Sequence, residues 1–207
     1  MTILIVTPKE WEGRTVVDKL KGFLTRLGHK VQLALTSAAS PTLNTGKNTF
    51  LIGLGVGAFR ANQIAQQNPD YISGVLLYDS VESFESRTPR SAIIEGVLGL
   101  TLTLKRLFVN GDAAQFHGTV NNQSETMTPN PNSEVLTTIV CRKSAILLLA
   151  KGRIKAFVNE HGQKFGIQGK FVALKSSHGD FGLLQEASFL QTVEAALEEA
   201  DSLAVRQ

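Results

Sequence analysis

The sequence predicts an α/β protein in three layers, with a mostly parallel sheet between two layers of helix. Three observations carry this expectation. Several apolar runs of strand length are continuous rather than alternating, as strands covered on both faces are. Segments with apolar residues at spacings of three and four lie between them, so strand and helix alternate along the chain. The 207 residues, 43% hydrophobic and 19% charged, suffice for one core, which makes 1–207 a single domain.

The first run, 2–8, ends at Pro8 and reads as a buried strand. In 15–28 the residues Val16, Val17, Leu20, Phe23, Leu24 and Leu27 form one helical face, and Gly28 stops it. Val31, Leu33 and Leu35 alternate, which predicts a strand over 29–37. After a polar loop, 49–57 is an apolar strand running into glycines. The helix from Ala58 packs through Ala58, Ala61 and Ala65 and ends before Pro69. Residues 72–80 form the next buried strand. Residues 81–133 break this rhythm with a glycine-bearing apolar stretch and a polar, turn-rich one, which reads as an insertion or lid. A strand over 134–142, a helix over 144–162 and a strand over 170–177 come next. Residues 187–204 form an amphipathic helix whose face carries Phe189, Leu190, Val193, Ala196, Leu197, Ala200, Leu203 and Ala204.

Composition narrows the function classes. The lone Cys141 leaves no internal disulfide framework and no cysteine-based zinc site. Its place in an apolar strand fits a buried thiol better than a catalytic one. His29, His117 and His161 form no metal-ligand spacing, so neither a metal nor a cofactor is expected. No apolar run reaches the ~18–20 residues needed to cross a bilayer. The N-terminus lacks the basic n-region of a signal peptide. The expected location is therefore cytoplasmic, with no membrane partner. Net charge is +3, and between Arg142 and Lys175 eight basic residues face one acid. A net charge of +3 alone does not imply nucleic acid, and the stretch is read as a solvated helix face beside an acidic C-terminal helix.

The turn Gly53-Leu54-Gly55-Val56-Gly57 between a strand and a helix is the most informative spot. Glycines there permit a sharp reversal and close backbone packing. The turn resembles the nucleophile elbow of α/β-hydrolases, G-x-S-x-G, with Gly53 and Gly57 on the outer glycines. The helix, Pro-Asp turn and strand over 58–80 are similar to the segment after that elbow in the family. The stretch Ser176-Ser177-His178-Gly179-Asp180, with Phe181, Leu183 and Leu184 after it, is similar to the catalytic-histidine segment of the homoserine acetyltransferase branch. The G-x-G-V-G-A form of the turn is similar to N-Myc downstream-regulated proteins, which resemble α/β-hydrolases without a working triad.

The resemblance implies a reduced α/β-hydrolase-like fold, with catalytic positions at Gly55 and His178. Met1 leads directly into the first parallel strand, so no room is expected for that fold's early antiparallel strands. Three positions depart from the pattern. Gly55 has no side chain to attack a carbonyl. The acid expected after the 134–142 strand is absent from Arg142-Lys143-Ser144. The oxyanion turn reads Thr7-Pro8-Lys9, and proline donates no N–H. Asp79 could replace the acid, which gives an Asp79–His178 dyad without a serine. Pro8, Lys9, Trp11 and Ser177 are expected at the rim of any pocket above the turn. Trp11 alternatively closes the top of the core, and the His178 loop alternatively caps the next turn.

The expected function is a catalytically degenerate binding or scaffolding subunit with a protein partner, itself included, or a small-molecule ligand. One alternative is an enzyme of altered mechanism, with Asp79 and His178 acting on water or a substrate proton. Another is dinucleotide binding, since Gly53, Gly55 and Ala58 satisfy G-x-G-x-x-G/A and Asp79 ends the next strand. A tight turn in some other α/β fold is the remaining reading.

Overall fold

The structure is a computed structural model that describes residues 1–8, 12–13, 15–36, 48–78, 130–142, 166–174 and 187–205. The described elements run β1 (Thr2–Thr7), α1 (Thr15–Arg26), β2 (Lys30–Leu35), β3 (Thr49–Leu54), α2 (Val56–Gln67), β4 (Ile72–Tyr78), β5 (Leu136–Arg142), β6 (Gly169–Leu174) and α3 (Ala187–Val205). The six strands form one sheet in the order β2-β1-β3-β4-β5-β6, and every neighbouring pair is parallel. The helix expected over 144–162 lies outside the described residues. So does most of the 81–133 insertion, of which 130–133 is seen as a turn leading towards β5.

Side-chain alternation along these strands feeds two cores. Ile3, Ile5, Phe50, Ile52, Leu54, Leu76 and Tyr78 face a layer holding α1 and α3. Leu4, Val6, Leu51, Val75, Leu77 and Ile139 face α2. The strands read as unbroken apolar runs because both of their faces are covered. The buried apolar side chains of helix α2 include Ala58, Ala61, Ile64 and Ala65. Those small side chains let it lie close to β3.

Helix α1 buries Val16, Val17, Leu20 and Leu24. The predicted face extends to Leu27, but the helix ends at Arg26 and Leu27 is exposed. The reason is its C-terminal cap. Gly28 takes φ 85°, its N–H donates to the Thr25 carbonyl at 3.0 Å, and the His29 N–H donates to the Leu24 carbonyl at 3.2 Å. This is the Schellman pattern, in which the left-handed glycine turns the chain off the helix axis. Strand β2 is the half-buried edge after this cap. Val31 and Leu33 pack against one core and Ala34 against the other.

His29 is partly buried, and this desolvation lowers its pKa; the Met1 amino group lowers it further, while Asp201 opposes. The folded state therefore resists protonating His29 more than the unfolded chain does. Its contribution to stability is complete above about pH 6.5 and is lost as pH falls below that value. Urea titrations from pH 7.5 to 5 should show part of the acid-side loss of stability disappear in His29→Gln. An unchanged slope would reject this assignment.

Helix α3 buries Phe189, Val193, Ala196, Leu197 and Ala200, the middle of the predicted face. Phe189 meets Tyr78 edge-on, with ring centroids 5.3 Å apart and planes at 74°. A salt bridge joins Lys170 on β6 to Glu199 on α3. Both partners are exposed enough that the pair contributes little to stability. Among the described residues, no helix is long and apolar enough to cross a membrane.

Candidate functional site

The strand order reverses between β1 and β3. Helix α1 carries the chain from β1 to β2 on one side, and β3 then returns to the other side of β1. Crevices beyond the carboxyl ends of strands at such a reversal are the usual ligand sites of open α/β sheets. The glycine turn leaves β3 at that point.

Its backbone is an abrupt strand-to-helix reversal. Gly55 adopts φ 56° and ψ −123°, a conformation that residues with a Cβ adopt only under strain. The Gly55 N–H donates to the carbonyl of Tyr78, the last residue of β4, at 3.1 Å. The Gly55 carbonyl accepts the Ala58 N–H at 3.0 Å. Both polar groups of Gly55 are therefore used to hold the turn between β4 and the first turn of α2.

The outer glycines have separate steric reasons. A Cβ on Gly53 would stand 2.4 Å from Ala58 Cα and 2.8 Å from Ala61 Cβ. A Cβ on Gly57 would stand 2.1 Å from the Val6 carbonyl oxygen and 2.6 Å from its carbon. Gly53 thus lets α2 lie against β3, and Gly57 lets the start of α2 lie against the end of β1. Pro8, buried, comes directly after that end of β1, where the Thr7 carbonyl accepts the Thr36 N–H at 3.1 Å.

The structure therefore brings together Gly53, Gly55, Gly57, Ala58 and the end of β1 before Pro8. Val56 begins α2. Lys9, Trp11, Asp79, Ser177 and His178 lie outside the described residues. Asp79 is the next residue after β4 in sequence, and His178 comes four residues after β6. Residues 53–58 carry no ionisable side chain. Among the described residues, no three His, Cys, Asp or Glu side chains gather as metal ligands would. Two partners of the turn are not evident from the glycine motif: the Tyr78 carbonyl and the Val6 carbonyl. The place of Tyr78 at the end of a buried strand is the only sequence signal for the first, and the second carries none.

Comparison with known proteins adds a likeness of fold. No protein-family model and no curated protein matches the chain. Solved structures do. The chain is similar to an α/β hydrolase enzyme from the metagenome of sediments from the lagoon of Mar Chica, Morocco. The TM-score is 0.52 and the identity 14%, covering 97% of this chain and 92% of that one. It is similar to the Vlm2 thioesterase domain, with a TM-score of 0.52 and 12% identity over 96% of this chain and 91% of that one. A thermophilic esterase from Thermogutta terrifontis matches with a TM-score of 0.51 and 13% identity, over 96% and 89% of the two chains. At such identities the likeness speaks for architecture alone. The parallel sheet, its flanking helices and these neighbours together give the chain the α/β-hydrolase fold.

Proposed function

We propose that this α/β-hydrolase-fold protein is catalytically degenerate and works by binding, as a subunit that pairs with a protein partner or with itself. One observation supports this reading most. The turn at 53–57 keeps a sharp strand-to-helix reversal, yet the residue at the nucleophile position is Gly55. An acyl-enzyme needs an oxygen or sulfur at that point, and glycine offers none. The two outer glycines need no catalytic explanation, because packing against Ala58 and Val6 requires them. Pro8 in the first loop likewise removes a backbone donor from the oxyanion side.

The readings that keep chemistry or a nucleotide have less support. An Asp79–His178 pair would lie beyond the ends of β4 and β6, which stand two strands, or ~10 Å, apart across the sheet. Lacking a nucleophile, that pair could serve only as a general base toward water or a substrate proton. A pyrophosphate would want the Gly55 N–H, which instead donates to the Tyr78 carbonyl. In our reading Lys9, Trp11 and Ser177 rim a surface that recognises rather than transforms, while Pro8 is buried at the end of β1.

The test is hydrolysis of p-nitrophenyl acetate and butyrate by the purified chain. The expected rate equals the buffer blank and does not change in Asp79→Ala or His178→Ala. Turnover that is lost in both variants would replace the binding reading with an enzyme of altered mechanism. Sedimentation velocity over a range of protein concentrations separates self-pairing, which gives a concentration-dependent dimer, from pairing with another chain.

A further inference from the structure

We draw no further inference here: the strongest candidate, the cavity at the edge of the sheet where β4 and β5 begin, offers only the exposed carboxylates of Asp70 and Glu134 beside helix ends, and nothing in the structure shows what it holds.

Discussion

Gly57→Ala should cost about 4 kcal/mol or more, a large part of the stability of a domain this size. The added methyl would stand 2.1 Å from the Val6 carbonyl oxygen, 2.6 Å from its carbon and 3.0 Å from Thr7 Cα. All three are backbone atoms of a central strand, so no side chain can swing aside. Relief requires the start of α2 to lift away from β1, which would also open the contact between Gly53 and Ala58. Gly22→Ala adds the same methyl on α1, where a Cβ meets nothing within 4 Å. There the loss of unfolded-state freedom should stabilise the protein by about 0.5–1 kcal/mol. Urea denaturation of the pair measures both signs. If Gly57→Ala matches the wild type, the close approach of α2 to β1 is wrong.

Phe189→Ala should destabilise by about 3–5 kcal/mol, as removing a fully buried ring does. Phe189 is 0% exposed, and its edge contact with Tyr78 pins α3 to the carboxyl end of β4. The effect reaches beyond stability, because the Tyr78 carbonyl accepts the Gly55 N–H. Loosening Tyr78 loosens the anchor of the glycine turn. Hydrogen exchange should then show faster exchange of the Gly55 amide than global destabilisation alone explains. Phe189→Leu, which keeps most of the volume, should cost less than half as much. Equal losses in the two variants would mean that the stabilisation comes from the ring itself and not from the volume it fills.

Much of this architecture is legible in the chain. Continuous apolar runs at 2–7, 49–54 and 72–78 announce strands buried on both faces, because they lack polar alternation and are too short for buried helices. The face of α3 from Phe189 to Leu203 and the stop at Gly28 are equally readable. The exposure of Leu27 is not. Its spacing fits the helical face, but the left-handed cap at Gly28 ends that face a residue early. The order of the strands in the sheet has no sequence signature either, since β4 and β5 lie side by side although more than fifty residues separate them in the chain.

The sequence by itself determined the three-layer class, the strand-to-helix turn at 53–57 and the absence of a side chain at Gly55. These are properties of residue type and local periodicity, and they need no knowledge of distant contacts. The tertiary structure alone decided the strand order, the reversal point beside β1 and why each glycine of the turn is needed. Gly53 answers to Ala58 five residues away, but Gly57 answers to Val6 and Gly55 to Tyr78, on strands far off in the chain. Such long-range sterics and hydrogen bonds leave no periodic trace. They separate Gly53 and Gly57, kept for close packing, from Gly55, held by its hydrogen bond to β4.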